Sequence, residues 1–512
     1  MGEIRRRRLV THLLVVPVIA LGIGAVPAKA TSTSYIEGRD LAASLYDPTV
    51  VNRVDLIVPQ SSIDTINYEF DNRSDPTNFT YVPAQLKLTT ATATYGPLDV
   101  EIHLKGGWGS LTPLSGKAGF KVKINSTGHK SQRLLGLKKF TFNNAVQDGT
   151  YVHEATAYRL FRNVGVPAPR VGYVRIYMNC AQDMNPEPDA TCQDYGVHPS
   201  IETMDDVALS RWVNGTTHLY EGGTPFFPDM YEGATFQTDL GNPANNSDFK
   251  EFARINRLDG AAWYNEMLKR SDLKEMTLEW ATENYVGHWD GYATNTNNYY
   301  LHSDATGKFR MFPWGTDQTW GGLQDLYGGG SARLLLAKCN AYAPCRAMYT
   351  DSLITVWNKA QTLQLSAMPR HIYDGILASS MGPQTDPFGR VCDINCANSV
   401  VDSMRGFMSA RNDQVAPIAA ALSLTRPTIT AKYSTRTISA TWVATKVPGV
   451  TINSYQLQRS NNGVTWQDIA IDSPTKTVIR NVAPMSISYY RVRVITSGGT
   501  SPWSFPIRVK AI

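Results

Sequence analysis

The chain has 512 residues, a length at which one hydrophobic core usually divides, so we expect two or three domains. Its 42% hydrophobic and 18% charged residues are typical of a soluble globular protein. The formal net charge is +5, but the first thirty residues hold five basic side chains and one acidic, which leaves +1 for the remainder. This near-neutral balance argues against a nucleic-acid footprint, and we expect no nucleic-acid partner.

The N-terminal residues 1–30 have the pattern of a signal peptide. Four consecutive arginines precede an apolar stretch, and Ala28 and Ala30 place small residues where a signal peptidase cleaves. The apolar stretch is too short for a bilayer span and contains a proline, although an uncleaved anchor is the alternative. We predict a secreted or cell-envelope protein whose mature chain begins with a flexible lead-in at residues 31–48.

The six cysteines fall into three close pairs with none left over. The pairs are Cys180 with Cys192, Cys339 with Cys345, and Cys392 with Cys396. In an exported chain such pairs predict disulfides, because that compartment is oxidising. Zinc ligation is the competing interpretation, but no pair has histidines at a zinc spacing.

Residues 49–220 have a strand-rich texture, which predicts a β-rich half. Short apolar runs separated by Gly, Pro and Asn predict strands at Val54–Val58, Gln85–Leu88, Val100–Leu104, Phe120–Ile124 and Val171–Met178. A helix is predicted before the last of these, at Val152–Asn163, and Gly165 and Pro167 end it.

Residues 221–425 are predicted to be mostly helical. Amphipathic patterns predict helices at Phe249–Lys269, Leu273–Val286, Met348–Ile376 and Ser399–Leu422. Between them, Gly287–Gly330 is rich in Asn, Trp, Tyr and Gly, a composition typical of loops that carry sites. The fold class is therefore α+β, with a cleft expected between the two halves.

Residues 426–512 predict an all-β, immunoglobulin-like sandwich. Strands are expected at Thr428–Lys432, Thr437–Trp442, Ser454–Arg459 and Tyr489–Val494, with turn residues between them. With Trp442, Trp466 and Trp503, this segment resembles a fibronectin type III module. Such a module implies a passive spacer or, alternatively, a surface that contacts cell wall or matrix.

The residues best suited to chemistry lie on a predicted loop–strand–turn–strand unit. Asp290 and Asn298 precede a strand at Tyr299–His302, and a second strand at Phe309–Phe312 leads to Asp317. Phosphoryl transfer needs a carboxylate that positions the attacking hydroxyl and oxygen ligands for Mg²⁺. Taken alone, Asp-Gly and Asn-rich stretches are more often plain turns.

The same unit resembles the signature of the CotH family of atypical protein kinases, first known from spore coats. Further segments resemble that family in the same order along residues 50–325: Lys105–Ser110, Lys117–Ile124, Leu137–Asn143, Tyr158–Arg162, Gly165–Pro169 and Tyr195–Glu202. Each motif is unspecific by itself, but the ordered set is specific. The resemblance implies a kinase-like bilobal core, a β-rich N-lobe followed by a helical C-lobe, that binds ATP with Mg²⁺ or Mn²⁺ between the lobes.

By position in the motif, the resemblance implies that Asp290 is the catalytic base. It implies Asn298 as a metal ligand, with Asn295 as the alternative, together with Asp317. The family commonly reads Pro-Trp-Asp-x-Asp where this chain has glycine at 315. Gly315 has no side-chain oxygen, so the resemblance leaves open an active kinase that uses Asp317 or a pseudokinase.

The resemblance also implies nucleotide contacts on the β-rich half. Lys117 would contact the ATP phosphates, with Lys121 and Lys105 as competitors, and Glu202 would pair with that lysine. A solvated strand lysine and an ordinary surface carboxylate are the plainer interpretations.

Three functions remain open from the sequence. The first is an exported kinase that phosphorylates Ser/Thr of secreted or envelope proteins. The second is a catalytically impaired, kinase-like scaffold with a structural or adhesive role in the envelope or spore coat. The third is a glycan hydrolase with Asp290 and Asp317 as paired carboxylates, against which the ordered motifs speak.

Overall fold

The computed structural model describes residues 41–72, 79–107, 109–180, 192–223, 227–379, 387–388, 394–424, 426–447 and 449–512. The predicted signal peptide and most of the predicted lead-in lie outside the described residues. The chain from Ser34 to Ile512 forms one compact unit. No helix in the described part of the chain has the length and apolarity needed to cross a bilayer.

The first region is a closed seven-stranded barrel with strand order β1-β2-β3-β4-β5-β7-β6. Its strands are β1 (Val51–Ile57), β2 (Val82–Thr89), β3 (Thr94–Lys105), β4 (Gly119–Lys123), β5 (Lys139–Phe142), β6 (Val171–Met178) and β7 (Gln193–Ile201). The barrel closes because β1 pairs parallel with β6. Alternate side chains point inward, so Leu56, Leu86 and Ile102 are fully buried in one core.

Two helices accompany the barrel: α1 (Gln60–Asn72) and α2 (His153–Val164). The second confirms the predicted helix, and Gly165 ends it in the left-handed conformation with φ 94°. The first was not predicted, because only Ser62 and Ile66 among its residues are buried and the apolar pattern is sparse.

A second, four-stranded sheet has the order β11-β10-β8-β9. Its strands are β8 (His218–Glu221), β9 (Gln237–Leu240), β10 (Tyr299–Ser303) and β11 (Phe309–Pro313). The accompanying helices are α3 (Asp206–Leu209), α4 (Ser247–Arg254), α5 (Gly260–Arg270), α6 (Leu273–Val286), α7 (Tyr292–Asn295), α8 (Leu334–Ala341), α9 (Ala343–Thr362), α10 (Met368–Ala378) and α11 (Ile394–Leu424).

Two of the predicted helices were too long. The helix expected at residues 249–269 is divided into α4 and α5, because Leu258 and Asp259 adopt extended backbone angles between them. The helix expected at 348–376 is divided into α9 and α10, where Gln364 turns into the left-handed region with φ 50°. The predictions for α6 and for the two strands β10 and β11 are confirmed.

The C-terminal region consists of β strands only. They are β12 (Thr428–Ser434), β13 (Thr437–Val443), β14 (Ile452–Ser460), β15 (Gln467–Ile469), β16 (Lys476–Ile479), β17 (Ile487–Thr496), β18 (Gly499–Thr500) and β19 (Ile507–Lys510). One sheet has the order β12-β13-β16, and the other contains β15, β14, β17 and β18, with β19 also paired to β17. Trp442, Leu457 and Tyr490 are buried in the core between them. The molecule is thus a mixed α+β protein with a β-rich C-terminal region.

This C-terminal region packs against α9. Arg493 donates from Nη1 to Asp351 Oδ2 at 2.6 Å, and both groups are largely buried. Gly499 comes so close that a Cβ there would lie 2.5 Å from Thr350 Cγ2. Lys274 on α6 donates to Ser352 at 2.9 Å beside this contact. The sandwich is therefore joined to the helices by polar and close van der Waals contacts.

Two of the predicted disulfides, Cys180–Cys192 and Cys339–Cys345, are confirmed. Cys396 is also disulfide-bonded, while its predicted partner Cys392 lies outside the described residues.

Candidate functional site

A cavity of about 780 Å³ lies where the barrel meets the four-stranded sheet and the loop that follows α6. Besides His103, its wall carries six acidic or basic side chains: Lys105, Lys121, Glu154, Glu221, Asp290 and Asp317. These six residues come from six separate segments of the chain, so only the folded protein brings them together. The volume lies within the range of small-molecule and cofactor sites.

Asp290 occupies a loop that is fixed from both sides. Helix α6 ends at Gly287, whose φ of 70° turns the chain into the loop. The next residue, His288, is fully buried, and its Nε2 lies 3.0 Å from the carbonyl oxygen of Trp314. Two residues later Asp290 faces the cavity and is 8% exposed. The buried histidine thus ties the Asp290 loop to the segment that carries Asp317.

Three asparagine amides bind the carboxylate of Asp290. Asn295 Nδ2 donates to Oδ1 at 2.5 Å, and Asn297 and Asn298 donate to Oδ2 at 2.9 and 2.8 Å. Burial raises the pKa of Asp290 above its ordinary value, the amide bonds oppose that shift, and the charge of Asp317 adds to it. A carboxylate accepts about four hydrogen bonds, so three donors leave it one site for a further partner.

A second carboxylate, Glu283 on α6, binds the backbone of the same loop. Glu283, fully buried on α6, accepts the backbone N–H groups of Tyr292 and Ala293 at 3.0 and 2.6 Å. Gly291 has no side chain where a Cβ would lie 2.2 Å from Glu283 Oε1. Burial raises the pKa of Glu283 to about 7. Glu283 was not singled out from the sequence. The available signal was an acidic residue in the last turn of the helix predicted at Leu273–Val286.

Asp317 lines the same cavity as Asp290. It lies in a short 3-10 turn, Thr316–Gln318, directly after β11 and Gly315. Burial raises its pKa above the ordinary value, and the nearby ammonium group of Lys105 opposes the shift. The structure therefore brings together Asp290, Asp317, Asn295 and Asn298, the acid and amide residues singled out from the sequence.

The lysines are arranged differently from the expectation. Lys117 is fully buried, and its Nζ donates to the carbonyl oxygen of Tyr195 at 3.0 Å instead of lining the cavity. The reason is that β4 begins only at Gly119, so Lys117 belongs to the preceding irregular segment. Lys121, on the strand itself, and Lys105, at the end of β3, both line the cavity. The geometry therefore favours Lys121 and Lys105 over Lys117, and the identity of the lysine that contacts nucleotide stays a prediction.

Glu202 does not pair with any of these lysines. It is 2% exposed, and Arg170 binds it in a bidentate manner at 3.0 and 2.7 Å, with Arg211 as a second partner. Burial opposes ionisation, but the two guanidinium groups hold the pKa of Glu202 below its ordinary value. The expected lysine–Glu202 pair is therefore corrected to an arginine–Glu202 cluster that fixes the end of β7.

Two cavity acids were missed by sequence reasoning. Glu154, in the first turn of α2, accepts from Asn143 Nδ2 at 2.8 Å. Burial and the charge of Asp317 raise its pKa to about 8, while Lys105 opposes the shift. Glu221 ends β8, and burial followed by the charge of Asp239 raises its pKa to about 7. Neither residue belongs to a motif; only the three-dimensional meeting of α2 and β8 with the cavity identifies them.

A smaller cavity of about 200 Å³ shares Lys121, Thr141 and Trp314 with the main one. Its wall includes the rings of Tyr81, Phe140, Tyr300 and Trp314. Lys139, Asp205 and Asp239 also line this smaller cavity, which we call the aromatic recess, and it has a common wall with the main cavity.

The donor set of the main cavity fits a hard cation. Within the described residues, no group of three or more His, Cys, Asp or Glu side chains is arranged to hold a metal ion. Mg²⁺, however, usually keeps several waters and takes one or two carboxylates together with substrate phosphates. Asp317 and the amide oxygens of the asparagines that line the same cavity are ligands of that kind, so the residues present fit Mg²⁺ or Mn²⁺ bound with a nucleotide.

Comparison with known families identifies this region. Residues 102–353 match the family model described as CotH kinase protein. This part of the chain belongs to the CotH kinase family. The match extends from β3 into α9 and includes every residue that lines the main cavity. Membership indicates a kinase-like function for the region.

Comparison with curated proteins finds no match. Solved structures that resemble part of the chain include a β-1,2-glucanase from Parabacteroides distasonis, at 23% identity, with 17% of this chain and 13% of the glucanase covered and a TM-score of 0.16. A structure described as a myokine matches at 16% identity over 17% of this chain and 98% of its own, with a TM-score of 0.16. A human FNIII domain matches at 26% identity over 17% and 75%, also with a TM-score of 0.16. At these TM-scores the matches assign neither a fold nor an activity to the whole chain.

Proposed function

We propose that this protein transfers the γ-phosphoryl group of ATP to hydroxyl groups of Ser or Thr on secreted or envelope proteins. The observation that carries the proposal is that Asp290, Asp317, Lys105 and Lys121 line one cavity. Phosphoryl transfer depends mainly on positioning and charge neutralisation, and this cavity offers acids for a metal and ammonium groups for phosphates.

Asp290 is the group that positions the acceptor hydroxyl and accepts its proton. Its three amide donors fix the carboxylate and leave one acceptor site for the hydroxyl. Asp317 and Asn298 would hold Mg²⁺ or Mn²⁺. When bound, that cation neutralises charge on the β- and γ-phosphate oxygens.

Lys105 and Lys121 bind the phosphates from the barrel side in this proposal. The charge of Lys105 lowers the pKa of Glu154, which indicates that the two side chains are close together. Glu154 is therefore the acid suited to orient the Lys105 ammonium group. The aromatic recess beside Trp314 supplies flat apolar faces for the adenine ring. The barrel and the helical region would then act as the N-lobe and C-lobe of a kinase-like bilobal core.

The setting of this activity is also a proposal. The predicted signal peptide and the disulfides Cys180–Cys192 and Cys339–Cys345 fit an exported protein, because disulfides persist in oxidising compartments. The acceptor is accordingly expected among secreted or envelope proteins.

The first experiment is a thermal-shift titration with ATP and Mg²⁺. A ligand that binds only the folded state raises the melting temperature, so ATP–Mg²⁺ should do so for the wild type. Lys105→Met should remove most of that rise, and Asp317→Ala its Mg²⁺-dependent part. Lys117→Met is the matched control: it alters a buried lysine outside the cavity and should preserve the rise, whatever its own starting stability.

The second experiment follows label from ATP to a casein-type acceptor. Asp290→Ala should lower transfer about 10²- to 10⁴-fold, the usual effect of losing a general base. A normal ATP-dependent thermal rise without transfer above the Asp290→Ala level would indicate the kinase-like scaffold. No thermal rise and no transfer would refute the proposal.

A further inference from the structure

Two aromatic rings are exposed in the wall of the main cavity. Trp289 and Phe227 both line it, and each residue is 47% exposed. A single exposed apolar residue is ordinary on a protein surface, but two rings in the wall of one polar cavity are typical of a binding surface. Neither ring lines the aromatic recess proposed for the adenine ring. The two rings are therefore available to a different ligand.

Trp289 is fixed directly beside the proposed catalytic base. It precedes Asp290 in the chain, so the Cα atoms of the two residues are about 3.8 Å apart. The carbonyl oxygen of Trp289 accepts from Thr294 Oγ1 at 2.7 Å, and its N–H donates to the carbonyl oxygen of Gly287 at 2.9 Å. These bonds use only backbone atoms of Trp289, so the indole ring is not needed for them. In the proposed function Asp290 receives the acceptor hydroxyl, which places Trp289 on the acceptor side of the cavity.

Phe227 is bonded to the chain segment that follows Asp290. Its carbonyl oxygen accepts from Thr296 Oγ1 at 2.8 Å, and the next carbonyl oxygen, that of Pro228, accepts from the hydroxyl of Tyr299 at 2.8 Å. Phe227 has φ 50°, a left-handed conformation that is rare for a bulky residue. Rare backbone conformations that neighbouring bonds hold in place are concentrated at ligand and active sites. Both rings thus have fixed positions relative to Asp290.

We infer that Trp289 and Phe227 form an acceptor subsite that selects a large apolar side chain within two residues of the Ser or Thr that is phosphorylated. This inference rests on the proposed function, which places the acceptor hydroxyl at Asp290. An extended peptide advances about 3.3 Å per residue, so a ring beside Asp290 meets side chains one or two residues from that hydroxyl. Aromatic rings held in position in this way bind an apolar side chain with little loss of conformational freedom.

The test uses the mature chain and a set of matched synthetic peptides. Each peptide carries a fluorescein label and one Ser in a Gly- and Gln-rich sequence. Four test peptides have a single Phe at one of the two positions on either side of the Ser, and the reference peptide has Gln at all four positions. Fluorescence anisotropy with Mg²⁺ and a non-hydrolysable ATP analogue measures binding, and labelled ATP measures transfer to the same peptides.

We expect the wild type to bind at least one Phe peptide about three- to tenfold more tightly than the reference, the size of one aromatic contact. Trp289→Ala and Phe227→Ala should each lower this ratio toward one and retain the ATP–Mg²⁺ thermal shift, whereas Trp289→Phe should retain most of the preference. Tyr231→Ala is the matched control, because Tyr231 is 58% exposed on the segment that carries Phe227 but does not line the cavity. It should leave the ratio unchanged.

The outcomes that overturn the inference differ from those that overturn the proposed function. If the wild type prefers no Phe peptide, or if Trp289→Ala and Phe227→Ala keep the preference, the acceptor subsite is wrong while the proposed function stands. If either variant loses the ATP–Mg²⁺ thermal shift instead, the rings bind the nucleotide, and the subsite is wrong in the same way. If the wild type transfers no phosphate to any peptide or to the casein-type acceptor, the proposed function is wrong, and the acceptor role is wrong with it even where a Phe preference is observed.

Discussion

The two parts of the molecule, residues 41–424 and residues 428–510, use ionisable groups in opposite ways. The first part buries Glu154, Glu283 and Asp317 around or beneath a cavity, where burial raises their pKa values. The sandwich has a core of apolar side chains, among them Trp442 and Leu457. Burying acids is unfavourable unless neighbouring groups compensate, so their concentration in one part marks that part as the candidate functional site.

In the sandwich, by contrast, two arginines stack against tryptophan rings on one sheet. The guanidinium of Arg491 lies 4.2 Å from the ring centre of Trp466 and 4.4 Å from that of Trp503. Arg493 lies 4.6 Å from the ring centre of Trp503 and also binds Asp351 of α9. Stacked guanidinium groups and rings stiffen a sheet face without opening a cavity, which suits a structural role.

The largest expected effect that tests this contrast is Trp442→Ala. Trp442 is 2% exposed in the sandwich core, and its Nε1 donates to the carbonyl oxygen of Pro474 at 2.9 Å. We expect a loss of about 3–5 kcal/mol in the free energy of unfolding of the sandwich. Hydrogen exchange should show faster exchange in β12–β19. Trp442→Ala should keep the ATP-dependent thermal shift, whereas a matched Trp314→Ala variant, at the cavity, should lower it. If Trp442→Ala also lost that shift, the two parts would not have separate roles.

Arg493→Met tests how strongly the two parts are joined. Burial raises the pKa of Asp351 to about 6, and Arg493 is the first of the groups that oppose this. Because both side chains keep some solvent contact, we expect a loss of about 1–2 kcal/mol in stability, less than for a fully buried pair. Chemical denaturation measures it, with exposed Lys476→Met as the control. Equal stability of the two variants would show that the ion pair does not hold the interface.

The smallest expected effect is a change in the pH dependence of the melting temperature in Glu279→Gln. This variant tests whether a buried acid of the first part stays protonated in the folded state. Burial, and then the charge of Glu283, raises the pKa of Glu279 well above 4.5. The folded state therefore keeps a proton that the unfolded chain releases above about pH 4.5, so the contribution of Glu279 to stability falls as pH rises. Gln stays neutral.

The melting temperature of Glu279→Gln relative to the wild type should thus increase from pH 5 to pH 9. Glu266→Gln alters a surface acid that pairs with Lys269 and should show no such trend. A pH-independent difference for Glu279→Gln would contradict the raised pKa.

Features with a local periodic pattern were predictable from the sequence. Short apolar runs between turn residues predicted β2, β4 and β6, the Gly and Pro that end a helix marked α2, and an amphipathic pattern predicted α6, because neighbours along the chain decide these elements. The acids and amides at 290, 295, 298 and 317 came from a motif resemblance. Which lysine enters the cavity depends instead on where β4 begins, and the partner of Glu202 depends on Arg170 and Arg211, which are distant in sequence.

The cavity acids Glu154 and Glu221 were out of reach for the same reason. Each is unremarkable in its local segment, and its pKa is raised by burial and by an acid on another segment, Asp317 for Glu154 and Asp239 for Glu221. Likewise, the close approach of Gly315 to the side chain of Asn298 joins two positions that no spacing rule relates.

The attachment of the sandwich has a geometric consequence. Helix α11 ends at Leu424 and β12 begins at Thr428, while Arg493 and Gly499 hold the sandwich on α9. Because α9 packs on α6, whose end leads into the Asp290 loop, the C-terminal strands contact the same helix pair that supports that loop. A partner bound to the sandwich would therefore be held in a defined orientation relative to Asp290. The entropy cost of fixing that orientation would be met when the chain folds and not when the partner binds.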